Sequence, residues 1–185
     1  MNLSIADSVT NALQHHVRDW GQLDRETGAF LLNQSDSQIV DMIAWPQTAG
    51  VVRSRGQFCV SGLALARLFD WCGAHHVQIA ALLHSHKYKA FLSPTDLKYG
   101  FAAEGFLSAI VPDYATPSAN PAKWGWWRFQ DGGWVDESSP IVRTAPFSGV
   151  SFDENGTSSL EPDTTGRSPV DAERSGSLTR LGEAE

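Results

Sequence analysis

Between Val77 and Asp96 the chain reads VQIAALLHSHKYKAFLSPTD. The segment Val77–Leu83 is an apolar run of the length and kind that suits an interior strand. His84 and His86 follow, one residue apart. In extended backbone alternate side chains point to the same side, so both imidazoles can face one point. Two neutral nitrogen ligands of a zinc ion must do so. After a six-residue loop, Ser93-Pro94-Thr95-Asp96 reads as a helix start: serine caps, proline suits the first helical position, and the acidic residue complements the dipole and completes a capping box. Asp96 then lies in the first turn of a helix whose N-terminus can approach the strand end. Its carboxylate would be a third ligand and leave the fourth position to water, as in catalytic zinc sites. Taken alone, Ser93 and Asp96 read as a cap rather than a site. Strand, HxH, loop, SxxD and helix in succession favour a site.

Outward from this stretch, helix and strand signals alternate. Ile5, Val9, Ala12, Leu13, Val17 and Trp20 recur at helical spacing, predicting a first helix that stops near Gly21. Gly28–Asn33 and Gln38–Trp45 read as strands, with another around Gly56–Val60. Ser61 can cap a helix that stops at Gly73. A helix from Pro94 to about Glu104 precedes a strand at Phe106–Val111, and Trp124–Gln130 with Trp134–Glu137 form a hairpin around Asp131-Gly132-Gly133. The fold class expected is an α/β (α+β) sandwich, a mixed sheet flanked by helices. His15 and His16 fall on the first helix, read as its polar side, and His75 and His76 read as a helix-to-strand linker. The tryptophans 124, 126, 127 and 134 default to core or cross-strand packing. Phe91 and Leu92 are candidates to line a groove, and the stretches 46–57 and 112–123 to shape substrate choice.

Composition bounds the alternatives. At 185 residues, 42% of them apolar, the chain holds one domain with a sizeable core. No stretch approaches the roughly 18–20 apolar residues of a membrane span, and the N-terminus lacks the pattern of a secretory signal. Cys59 and Cys72 read as free thiols in a reducing cytoplasm, the expected location. Net charge is −7, with −5 of it from the eight acidic and three basic residues of 151–185. With no basic patch, nucleic-acid binding is disfavoured. All seven tryptophans precede residue 151, and the segment beyond is rich in Ser, Thr, Gly, Asp and Glu. The expected organisation is therefore a domain over 1–150 and a disordered acidic tail over 151–185.

The HSH and SPTD elements resemble the signature of the JAMM family of metalloproteases, also called MPN+ or JAB. That family carries a glutamate upstream in a Glu-x-Gly segment leading into a strand, and Glu26-Thr27-Gly28 fits it. The resemblance covers roughly residues 1–140. Two departures are visible: the His86–Ser93 loop is a residue shorter than is common, and Lys87 stands where a proline often follows the second histidine. The resemblance implies an MPN/JAB-like (cytidine-deaminase-like) fold and Zn2+ held by His84, His86 and Asp96. It also implies Glu26 as general base and Ser93 as hydrogen-bond donor to the developing oxyanion. The implied activity is isopeptide or peptide cleavage after the C-terminus of a ubiquitin-like protein. Partners would be that protein's tail, its conjugates and the conjugation enzymes of the same system, with no nucleic acid and no membrane. The chain looks like stand-alone bacterial members, including those of antiviral operons. Trimming of a sulfur-carrier protein's extension, or a non-catalytic MPN scaffold, are the alternatives.

Overall fold

Gly28–Asn33 is buried along its whole length, which an alternating half-buried strand would not be. The reason is visible in the computed structural model, which describes residues 3–160: the strand lies inside a sheet with a helix on each face. In chain order the elements are β1 (Ser4–Ala6), α1 (Asp7–Gly21), β2 (Gly28–Gln34), β3 (Ile39–Val40), β4 (Met42–Pro46), β5 (Val51–Ser54), β6 (Gln57–Val60) and α2 (Gly62–His75). There follow β7 (Val77–Ser85), α3 (Pro94–Tyr99), β8 (Leu107–Val111), β9 (Gly125–Gln130), β10 (Gly133–Asp136), β11 (Ile141–Arg143), β12 (Ser148–Asp153) and β13 (Gly156–Leu160). Eight strands form one mixed sheet in the order β10-β9-β8-β7-β2-β4-β12-β13.

Strand alternation sends β2 side chains to two cores. Ala29 and Leu31 pack with Val9, Leu13 and Val17 of α1, while Phe30 and Leu32 pack with Ala64, Leu68 and Cys72 of α2. The result is the mixed α/β architecture expected from the alternation of signals. Among the described residues no helix is long and apolar enough to cross a membrane.

Several boundaries differ from the sequence reading. Ile5 belongs to β1, paired in parallel with β11 and β3, and α1 begins only at Asp7. The strand expected over Gln38–Trp45 breaks at Asp41, because β3 pairs with β1 whereas β4 pairs with β2 and β12. The second helix runs past Gly73 and closes with His76 in the left-handed region, at φ 56°. The helix expected to reach Glu104 stops after Tyr99. Phe101 instead turns inward, its ring against Phe30, Phe69 and Phe106 at 6.0, 6.1 and 5.3 Å. Burying that ring outweighs a further helical turn.

The expected break at residue 150 falls inside β12. Residues 148–160 form a hairpin whose Val150 and Phe152 fill the α2 core, Phe152 being 1% exposed. Composition averaged over the whole segment hid this short alternation. The rest of the expected tail, residues 161–185, lies outside the described residues.

Candidate metal centre

His84 lies near the C-terminal end of β7 and His86 just beyond it, where β8 runs parallel and β2 antiparallel. His86 is held in extended register: its N–H donates to Val111 O at 2.9 Å, and its carbonyl accepts from Tyr114 N at 3.2 Å. The histidines are both 6% exposed, and their Nε2 atoms stand 3.2 Å apart. Asp96 reaches in from α3, with Oδ1 3.1 Å from His84 Nε2 and Oδ2 3.4 Å from His86 Nε2. Two imidazole nitrogens and a carboxylate thus converge on one point and can hold a metal ion. The spacing suits zinc: tetrahedral bonds of about 2.0–2.1 Å place neighbouring ligand atoms about 3.4 Å apart.

The capping reading of SPTD is realised in the structure's geometry, and it leaves Asp96 facing the two histidines. Ser93 N donates to Asp96 Oδ2 at 2.7 Å, and Asp96 N donates to Ser93 Oγ at 3.2 Å. The cap aims the carboxylate at the histidines. The Ser93 hydroxyl accepts from Asp96 N and also lies in hydrogen-bond reach of the Asp96 carboxylate, which helps to hold that carboxyl's pKa down. Burial alone would raise the Asp96 pKa, but hydrogen bonds from His84 and His86 hold it well below the carboxylate range.

Glu26 enters from the neighbouring strand. Gly28 pairs with His84, and Ser85 N donates to Thr27 O at 2.8 Å, so continuing the register sets Glu26 across from His86. Its backbone N–H donates to Ser54 O at 2.7 Å, tying it to the β5–β6 hairpin. Glu26 is 8% exposed, and burial pushes its pKa up to about 7, with His86 opposing and Asp96 adding to the rise. Burial pulls His86 down, yet the Asp96 hydrogen bond and the Glu26 charge leave it raised. Glu26 is thus a buried carboxyl raised toward neutrality beside the His84, His86 and Asp96 group.

Two features escaped the sequence reading. Asp24, in the left-handed region at φ 56°, accepts from Lys87 Nζ and Tyr114 Oη, both at 2.6 Å, and pairs with Arg55 Nε at 2.7 Å. The Lys87 and Tyr114 hydrogen bonds bring its pKa down to about 2. Asp24 thereby joins the loop before Glu26 to the loop after His86 and to the tip of the β5–β6 hairpin. Lys87 is one of these links. No local pattern marks Asp24, since all three partners come from distant segments. Asp24→Ala is expected to lower any hydrolytic kcat/KM by about 10-fold or more, since small displacements of a reacting group are costly. Unchanged steady-state kinetics would show that the network does not position Glu26.

The second feature is His16, which is buried rather than on the polar side of α1. Its Nε2 meets Thr27 Oγ1 at 2.9 Å, which also accepts from Arg53 Nε at 3.1 Å. Burial, aided by Arg53, lowers the His16 pKa to about 3, so the ring is neutral at ordinary pH. Phe91, expected near a groove, is exposed with its ring edge-on to His86 at 5.0 Å. Of the four tryptophans, Trp124 and Trp126 are core, while Trp134 packs on Phe129 across the hairpin.

No family model matches the chain, and no curated protein matches its sequence. Among solved structures, a protein from Desulfitobacterium hafniense superposes with a TM-score of 0.59 at 16% identity, over 77% of this chain and 94% of that one. That likeness is one of fold. A JAB1/MPN domain protein from Archaeoglobus fulgidus aligns at TM-score 0.45 and 14% identity, over 77% of this chain and 98% of that one. A protein from Salinibacter ruber aligns at 0.47 and 18%, over 78% and 93%.

Proposed function

We propose that the chain is a zinc-dependent hydrolase of the JAMM type, cutting a peptide or isopeptide bond after the C-terminus of a ubiquitin-like protein. The observation that carries this reading is the meeting of His84, His86 and Asp96 at one point, with the buried Glu26 set across from His86. A zinc ion held by the three ligands would supply positive charge that acidifies water and polarises a carbonyl. Glu26 takes a proton from the attacking water as its oxygen bonds to the carbonyl carbon. Ser93, at the helix start beside Asp96, would turn its hydroxyl to donate to the oxygen that becomes negative. Glu26 then passes its proton to the departing nitrogen as the C–N bond breaks, leaving a carboxylate and an amine. The histidines would offer their Nε2 atoms to the metal, and Asp96 would contribute the negative charge of the set.

The modifier's extended tail would present the bond, and deconjugation or precursor processing both fit this chemistry. A scaffold that had given up catalysis would have no use for a complete ligand set with a base beside it.

Zinc content of the purified chain tests the reading. About one zinc per chain is expected, lost in a His84→Ala/His86→Ala variant that still folds. Protein that takes up no zinc at micromolar free metal would leave HSH and SPTD as a strand end and a cap.

A further inference from the structure

Beside the metal-ligand cluster lies a cavity of about 440 Å³ that the chemistry above does not use. Its walls are Phe30 of the sheet, Phe58 of β6, Leu65 of α2, Phe101, Phe106 and Trp134. His84 and Asp96 form part of the same lining. Among the described residues no lysine or arginine lines it, and Asp96 is its only carboxylate. The walls are held by contacts of their own. Phe101 is clamped by Phe30, Phe69 and Phe106, and Trp134 by Phe129 at 5.4 Å. Phe58 sits so close to Gly28 that a Cβ there would lie 2.5 Å from its ring. The space is therefore preformed.

We propose that this cavity is a specificity pocket for a bulky apolar side chain of the substrate, aromatic or branched aliphatic, within about two residues of the bond that is cut. The size is that of a ligand pocket rather than a packing defect. Most of the lining surface is apolar, with Gln57, Thr95 and Ser108 among its polar members, so a bulky apolar side chain sheds the most water contact by entering. The position follows from the shared walls. Because His84 and Asp96 belong both to the ligand cluster and to the pocket, and extended chain advances about 3.3 Å per residue, only a residue flanking the scissile bond reaches in. The inference rests on the hydrolase reading and adds the substrate preference of that site.

The test has a binding arm and a cleavage arm, both on the full chain with zinc supplied. In the first, N-acetyl-phenylalaninamide, N-acetyl-leucinamide and N-acetyl-glycinamide are titrated into 15N-labelled protein. Saturable shifts at Phe58, Cys59 and Phe101 are expected with the first two and not with the third. Cys59→Trp, which fills the space from the half-buried face of β6, is expected to abolish them; Leu65→Trp fills it from α2 should the first variant fail to fold. Equal response to the glycine amide, or shifts that survive both folded variants, overturns the proposal. In the second arm, peptides and C-terminally extended ubiquitin-like fusions vary at the residues flanking the bond. Cleavage roughly 10-fold or more faster with Phe or Leu at one such position supports the pocket. Cleavage without that preference overturns the pocket and leaves the hydrolase standing. Selective binding without cleavage of any probe upholds the pocket's apolar selectivity and overturns the hydrolase.

Discussion

Glu26→Gln is expected to lower kcat/KM on a cleavable ubiquitin-like fusion by about 10²–10⁴-fold, with zinc content unchanged. Glutamine keeps the shape and the backbone tie to Ser54, and it is not a metal-ligand candidate, so the loss isolates proton transfer. Full activity in the variant would sink the mechanism. The same substitution has a pH signature in metal-free protein. Burial raises Glu26 from 4.5 to about 7, so below pH 4.5 folded and unfolded forms both carry the proton. As pH rises, the unfolded chain releases it first, and the native state loses up to about 3 kcal/mol between 4.5 and about 7. The Glu26→Gln protein lacks this decline, which urea titrations of the two proteins across that range would reveal. Zinc reverses the sign of the burden, because a cation beside the carboxylate favours its charged form. Loading the native protein near neutrality is therefore expected to release a Glu26 proton that the variant does not release, measurable as the buffer dependence of the binding heat.

Phe152→Ala is expected to cost about 3–5 kcal/mol, lowering Tm by roughly 10 °C. The ring is 1% exposed and packs against Phe30 at 5.7 Å, in the core that seats α2 on the sheet. The strand carrying it extends the sheet beyond β4, so the cavity left is flanked by β13 and α2 rather than open to water. Thermal unfolding followed by circular dichroism checks it. A change below 1 kcal/mol would mean that residues beyond 150 contribute little to the folded unit, as composition suggests.

Much of the fold was legible because burial writes itself into short-range pattern. The apolar run of β7, the period of α1 and the Ser61 and Ser93 caps are local features, and each element stands close to where those signals set it. Where a segment's fate depends on distant partners, the pattern misleads. Asp41 divides one apolar stretch because its two halves join different sheets, and Phe101 ends a helix that its neighbours would have continued.

The site divides in the same way. By itself the sequence marked which residues could act as ligands, because an HxH on extended backbone presents two imidazoles to one side and a capping Ser-x-x-Asp holds its carboxylate at a helix start; Glu26 it marked only through the family resemblance. Only the tertiary structure decided that these groups meet. The antiparallel pairing of β2 with β7 carries Glu26 to His86, α3 folds back to bring Asp96 within 3.1 Å of His84, and Asp24 ties three separate loops together. The physical reason is range: caps and strand alternation act over a few residues, whereas convergence, burial and the pKa they impose on Glu26 arise from strand pairing and packing between segments some sixty residues apart.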